Sequence, residues 1–113
     1  MVQSTLRESP KSVSRSGTPN HMSPEMFKPG GLPSYKSDVY AFGMVLWELW
    51  SKEGVPFEGC MVGDISEMVM EGKRPDIPLS CPSAVRKAIE ACWEDDPRAR
   101  PSFPDLISTL ESW

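Results

Sequence analysis

The sequence has few of the residues on which most catalytic and metal sites depend. Its 113 residues include one histidine, His21, and three cysteines, none of them in a Cys-x-x-Cys pair. A single histidine leaves few options for histidine-bound metal or for serine–histidine catalysis. An odd number of scattered cysteines argues against a disulfide framework or a zinc site and favours a reducing compartment. We therefore expect a cytoplasmic chain that binds no metal.

Long apolar runs and an excess of positive charge are also lacking. The longest apolar run, Val39–Leu49, is interrupted by Glu48, and a bilayer span needs about 20 apolar residues. No apolar core of a secretory signal stands near the N-terminus. The net charge is −4, so the chain carries no basic footprint for nucleic acid. These features predict neither a membrane span nor a nucleic-acid partner.

The composition is that of a globular chain with a distinct N-terminal segment. Hydrophobic residues make up 39% and charged residues 25%, and there are 12 prolines, which mark helix ends and ordered loops. Residues 1–20 hold three Lys/Arg against one acid, whereas residues 21–113 hold nine Lys/Arg against fifteen Asp/Glu, net −6. We expect residues 1–16 to be a flexible, serine-rich segment.

The strongest secondary-structure signal predicts a helix over Asp38–Trp50, with Ser37 as its N-cap. After Asp38 only Gly43 and Glu48 are not apolar. A helix that is apolar on all sides belongs in the middle of a domain. Gly43 costs about 1 kcal/mol relative to alanine, so we expect a close backbone approach there.

Three shorter amphipathic helices follow the central one, separated by long loops. No alternating strand pattern stands anywhere in the sequence. The fold is therefore expected to be mainly α, with a central buried helix and three shorter helices. The apolar positions that predict the shorter helices are Ile65, Met68 and Val69; Val85, Ala88, Ile89 and Cys92; and Phe103, Leu106, Ile107 and Leu110.

The order of several short motifs is more specific than any one of them. Gly17–Glu25, GTPNHMSPE, resembles the G-T-x-x-Y-M-A/S-P-E stretch that closes the activation segment of protein kinases. Tyr35–Gly43, YKSDVYAFG, resembles the start of the central helix in the kinase C-terminal lobe. Pro56-Phe57 and Arg74–Pro78 match the loops on either side of the next helix, and Cys92–Phe103 matches C-W-x-x-D-P-x-x-R-P-x-F. Residues 17–113 thus resemble part of a kinase C-terminal lobe of the tyrosine-kinase-like serine/threonine group.

The resemblance implies a set of site residues. Thr18 and Pro19 match the loop beside the substrate, and Thr18 before Pro19 favours serine/threonine specificity. Glu25 and Arg100, 75 residues apart, match an ion pair that ties the end of the activation segment to the loop before the last helix. Asp38 matches a residue that accepts backbone N–H bonds from the catalytic loop. We call Glu25, Arg100 and Asp38 the structural clamp. The alternative for each is an ordinary solvated charge or a helix-start residue.

Serines cluster where an activation loop would lie, near Arg7, Lys11 and Arg15. Phosphate on such serines can order a loop against arginine, although an unmodified flexible tail fits the composition equally well. The candidate phosphosites are Ser9, Ser12, Ser14 and Ser16.

The motifs for phosphoryl transfer itself are missing from the sequence. Kinases need a Gly-rich loop, a strand lysine, H-R-D and D-F-G to hold ATP and Mg²⁺, and none of these occurs here. We therefore expect no catalytic, cofactor or metal residues in this chain, and a truncated kinase domain whose parent would use ATP and Mg²⁺ to phosphorylate Ser/Thr of proteins. Its partner would be a protein substrate or the missing kinase lobe. The alternatives are a non-catalytic protein-binding remnant, truncated or pseudokinase-like, and tyrosine rather than Ser/Thr specificity.

Overall fold

The computed structural model describes residues 19–111 as a helical bundle with long connecting loops. Within that range there are four α-helices, three short 3₁₀ helices and no strand, which confirms the expected mainly α fold. The predicted segment 1–16 lies outside the described residues. The α-helices are α1 (Tyr35–Ser51), α2 (Val62–Met70), α3 (Ser83–Cys92) and α4 (Phe103–Glu111), and the 3₁₀ helices are Pro19–His21, Pro24–Phe27 and Pro97–Ala99.

The central helix α1 begins three residues earlier than the sequence suggests. Its N-cap is Ser34, so the predicted cap at Ser37 is wrong. The Ser34 hydroxyl accepts from the Ser37 N–H at 3.1 Å, and the Ser37 hydroxyl accepts from the Ser34 N–H at 2.7 Å. This reciprocal capping box satisfies two backbone donors at once. Ser37 therefore lies in the first turn, and Asp38 beside it suits the helix dipole.

The core forms where α1 packs against α3, and α3 in turn against α4. Val39, Tyr40 and Met44 on α1 are fully buried. Gly43 explains how α3 approaches so closely, because a Cβ added there would lie 2.6 Å from the Cβ of Cys92. The expected close approach at Gly43 is thus present, between α1 and the end of α3.

The three shorter helices follow their predicted positions. Helix α2 ends just before Gly72, whose φ of +91° places it in the left-handed region that favours glycine. Helix α3 begins after Pro82. Ahead of α4, the Ser102 hydroxyl accepts from the Asp105 N–H at 3.2 Å, which is one half of the expected capping box.

One side of α1 has no cover from the described helices. Val45 is 40% exposed and Leu49 is 65% exposed, although both stand on the helix expected at the centre of a domain. Beside them, Leu46, Trp50, Val85 and Leu110 line an apolar groove of about 510 Å³. We call this surface the open face. No helix in residues 19–111 has the length and apolar character needed to cross a bilayer.

Candidate functional site

Of the two residues that match the substrate-side loop, the structure describes Pro19, which lies on the first 3₁₀ helix. Pro19 begins that helix and is half-buried, whereas Thr18 lies outside the described residues. The Asn20 amide donates to the carbonyl of Pro56 at 2.7 Å. This bond fastens the start of the described chain to the loop between α1 and α2.

His21 makes the second tie of this loop, to the middle of α1. Its Nε2 lies 2.8 Å from the Oε2 of Glu48, and both side chains are half-buried. No motif in the sequence predicts this contact. The contact spans 27 positions, a separation that no local sequence pattern signals.

Glu25 and Arg100 come together as a two-pronged ion pair. Arg100 Nη1 donates to Glu25 Oε2 at 2.8 Å, and Nη2 donates to Oε1 at 2.9 Å. The Arg100 side chain is completely buried and that of Glu25 is 24% exposed. Paired N–H···O bonds of this kind are among the strongest polar contacts in proteins. Residues 75 apart in the sequence are thereby held side by side.

Arg100 also joins several backbone segments. Its guanidinium donates to the carbonyls of Glu94 at 2.8 Å, Lys36 at 3.1 Å and Asp95 at 3.3 Å. The Lys36 ammonium in turn donates to the carbonyl of Arg100. Each of the five N–H groups of the buried guanidinium thus donates a hydrogen bond, which offsets the cost of removing the cation from water.

The ionised form of Glu25 is the favoured one in this setting. Burial acts to raise the pKa of Glu25, but hydrogen bonds to the carboxylate, that of Arg100 first among them, and the charge of Arg100 together outweigh it, so the pKa lies below its ordinary value. The pair therefore stays charged across the neutral range.

Tyr40 lies between two guanidinium groups at the base of this cluster. The carbons at the centre of the Arg74 and Arg100 guanidinium groups stand 5.3 and 5.2 Å from the ring centroid, within cation–π range. Burial raises the pKa of Tyr40 to about 12. Arg74 is anchored on its far side by the Trp93 carbonyl at 2.9 Å and the Asp95 carboxylate at 2.8 Å.

Asp38, the third member of the predicted clamp, does not touch the other two. It is exposed on the first turn of α1. Within residues 19–111 its carboxylate forms neither an ion pair nor a hydrogen bond. It borders a small cavity of about 20 Å³ with His21, Ser23 and Ser37. Its role toward a catalytic loop stays a prediction.

The predicted phosphosites stand near the N-terminus of the sequence. Ser9, Ser12, Ser14 and Ser16 lie outside the described residues. Between residues 19 and 111 no three His, Cys, Asp or Glu side chains are grouped so as to hold a metal ion. Their cysteines, Cys60, Cys81 and Cys92, are free.

Sequence reasoning missed the supporting residues Asn20, Lys36, Tyr40 and Arg74. Tyr40 and Arg74 lie inside quoted motifs. Their contacts with Arg100 and with each other could not be predicted from the motifs, because they depend on how α1 packs against the later loops. Asn20 also lies inside a quoted motif, Gly17–Glu25. Its bond to the carbonyl of Pro56 has no signal in spacing.

Comparison with known proteins gives a consistent picture. The family model for protein tyrosine and serine/threonine kinase matches residues 3–110. A probable LIM domain-containing serine/threonine-protein kinase of Dictyostelium discoideum is 47% identical over 84% of this chain and 10% of its own length. The dual specificity protein kinase shkA of the same organism is 36% identical over 84% of this chain and 18% of its own. The insulin receptor of Xenopus laevis is 37% identical over 80% of this chain and 6% of its own length.

These matches cover nearly all of this chain but only a small part of each relative, 18% at most among the three. The relatives include serine/threonine, dual-specificity and receptor proteins. The resemblance found in the motifs, the mainly α architecture and the family match agree: this chain belongs to the protein tyrosine and serine/threonine kinase family, as a fragment of its domain with the character of the C-terminal lobe.

Proposed function

We propose that this chain forms the substrate-side platform of a protein kinase that transfers the γ-phosphate of ATP to serine or threonine of other proteins. The observation that carries the proposal is the paired ion bond between Glu25 and the buried Arg100. It fixes the end of the loop that begins at Thr18 and Pro19 relative to the central helix. Asn20 and His21 add two further ties to the same loop.

Such a platform positions a substrate rather than reacting with it. Phosphoryl transfer depends mostly on positioning and on stabilising charge, so a rigid loop beside the acceptor hydroxyl contributes to the reaction without touching phosphate. ATP and Mg²⁺ would be held by other parts of the larger kinase. We predict that the 113-residue chain has no affinity for ATP–Mg²⁺ on its own.

Serine/threonine specificity rests on Thr18 before Pro19 and on the similarity to the probable serine/threonine-protein kinase named above. Tyrosine specificity is the alternative, since the relatives also include a dual specificity kinase and a receptor. In either case the partners are a protein substrate and the rest of the kinase domain. A cytoplasmic location and a serine-rich activation-loop segment over residues 1–16 belong to the same proposal. Its candidate phosphosites are Ser9, Ser12, Ser14 and Ser16.

A non-catalytic role is the second candidate, and the open face favours it. Val45 and Leu49 expose apolar surface of the kind that marks interaction sites when it is contiguous. A short protein built on this fold could bind other proteins through that face and never phosphorylate them.

The test compares the longest reading frame that contains this chain with the 113-residue chain alone. Both are assayed for transfer of labelled γ-phosphate to peptides with serine, threonine or tyrosine acceptors, and for ATP–Mg²⁺ binding by calorimetry. We expect the longer protein to phosphorylate serine or threonine and the short chain to bind no nucleotide. A longer protein that binds ATP but transfers no phosphate supports the non-catalytic role. Micromolar ATP binding by the short chain contradicts the platform proposal.

A further inference from the structure

A groove separate from the open face lies at the C-terminal end of α1. It has a volume of about 460 Å³ and is bounded by α1, the loop from α1 to α2, and the loop from α2 to α3. Five apolar residues and three carboxylates line it, and we call it the acidic groove. The lining residues are Trp47, Val55, Phe57, Pro75, Pro78, Glu53, Glu58 and Asp76.

The apolar part of the groove is preformed. Trp47 is only 5% exposed, and its indole N–H donates to the carbonyl of Asp76 at 2.7 Å, which joins α1 to the far wall. The near wall is fastened through the carbonyl of Pro56 to Asn20. Val55, which belongs to the same apolar part of the groove, is 39% exposed. A partner would therefore meet a fixed apolar surface, and little ordering cost would oppose its binding.

The rim of the groove carries uncompensated negative charge. Glu53, Glu58 and Asp76 are all exposed. In the described part of the chain, none of the three is paired with a lysine, arginine or histidine. Residues 21–113 as a whole carry nine basic and fifteen acidic side chains. Three unpaired carboxylates around one concavity repel each other, and a cationic partner would relieve that repulsion.

We propose that the acidic groove docks a basic segment of another protein. An aliphatic side chain of that segment would lie on the floor formed by Trp47, Val55 and Phe57. Lysine or arginine side chains on either side of it would pair with Glu53, Glu58 and Asp76. The charge and the apolar floor together select this occupant, because an acidic segment would meet like charges and a wholly apolar one would leave the carboxylates unpaired. The docking requires no phosphoryl transfer and stands independently of the proposed function.

The experiment measures binding of synthetic peptides to the full 113-residue chain by fluorescence polarisation. The probe carries lysine and arginine residues on both sides of one leucine. Two matched peptides replace either all basic residues with glutamine or the leucine with serine. We expect the probe to bind and both matched peptides to bind more weakly. Raising the salt concentration from about 0.05 to 0.5 M should weaken binding of the probe, because salt screens the attraction between exposed charges.

Variants of the chain locate the binding surface. Neutralising the three rim carboxylates should weaken the affinity for the probe by about tenfold, as expected for the loss of three partly exposed charge pairs. Each single substitution should cause a smaller loss. A control with three carboxylates neutralised outside the groove should bind as the parent does. The rim variant is Glu53→Gln, Glu58→Gln and Asp76→Asn, and the control is Glu90→Gln, Glu94→Gln and Glu111→Gln.

A second pair of variants tests the apolar floor. Val55→Ser should weaken the probe severalfold, whereas Val62→Ser, at a residue of comparable exposure outside the groove, should not. Circular dichroism shows whether each variant keeps its helices. The proposal is overturned by absence of binding up to millimolar peptide, by equal losses in the rim variant and its control, or by equal binding of the glutamine peptide.

Discussion

Replacing Arg100 disturbs a completely buried side chain that, like Arg74, makes five hydrogen bonds. The guanidinium makes five hydrogen bonds, two to the Glu25 carboxylate and three to backbone carbonyls. It is completely buried. Arg100→Leu fills much of the same space but leaves Glu25 and those carbonyls without their donor. Arg100→Lys keeps the positive charge but has a single ammonium in place of the planar fork.

The structure sets the size of the expected effect. Removing one partner of a buried ion pair costs about 3–5 kcal/mol in free energy of unfolding, because the other charge is left uncompensated. We expect Arg100→Leu to fall in that range, and Arg100→Lys to cost roughly 2 kcal/mol, since one charged hydrogen bond to Glu25 survives. Against a total stability of about 5–15 kcal/mol for a domain, either loss is large.

Urea denaturation followed by circular dichroism measures these losses. Arg98 provides the matched control, since its side chain is 91% exposed and pairs with Asp96 at 3.0 Å. Arg98→Leu should leave the urea midpoint unchanged, because exposed ion pairs add little. In the double variant Glu25→Leu with Arg100→Leu, part of the lost stability should return, since no unpaired charge remains. Equal midpoints for Arg100→Leu and Arg98→Leu would refute the role assigned to the pair.

Three further predictions follow from the same contacts. The pKa of Glu25 is lower in the folded state than its ordinary value of 4.5, so the ionised carboxylate stabilises the fold above about pH 4.5. That stabilisation is lost as the pH falls through the lower folded-state pKa. Glu25→Gln should therefore remove this component from the pH dependence of the melting temperature. Gly43→Ala should destabilise by about 1–3 kcal/mol, because the new Cβ meets a side chain of α3. By contrast Gly63→Ala, with nothing within 4 Å, should stabilise α2 by up to about 1 kcal/mol in the same thermal scan. Leu49→Gln on the open face should reduce binding of an apolar dye, and Leu79→Gln, at a residue that is 98% exposed but outside that face, should not.

Helix periodicity was sufficient to predict the three shorter helices, because each carries a regular apolar stripe. Helix α3 packs its stripe against α1, α4 packs against α3, and α2 packs against the first two 3₁₀ helices. The central helix was predicted from its apolar run instead. The start of α1 was harder to place. Ser34 and Ser37 are three residues apart, and either can act as an N-cap by composition alone. Only the reciprocal bonds between their hydroxyls and backbone N–H groups decide in favour of Ser34.

The site was predictable only where a motif had already recorded a distant contact. Glu25 and Arg100 were paired through the resemblance, since nothing in their local sequences requires them to meet. His21 and Glu48 show the opposite case. This chain has histidine where the family usually has an aromatic residue, so the motif gave no partner for it, and the partner follows from where α1 passes beneath the loop.

The contacts of Arg100 explain how a fragment with few helices can hold a defined loop. The residue precedes α4, yet it bonds to Glu25 on the loop, Lys36 at the start of α1 and Asp95 after α3. Four chain segments thus meet at one buried cation. Burial of a cation is unfavourable unless all of its donors are satisfied, and displacing any one segment would leave a donor unpaired. The position of the loop is therefore coupled to the packing of the helices.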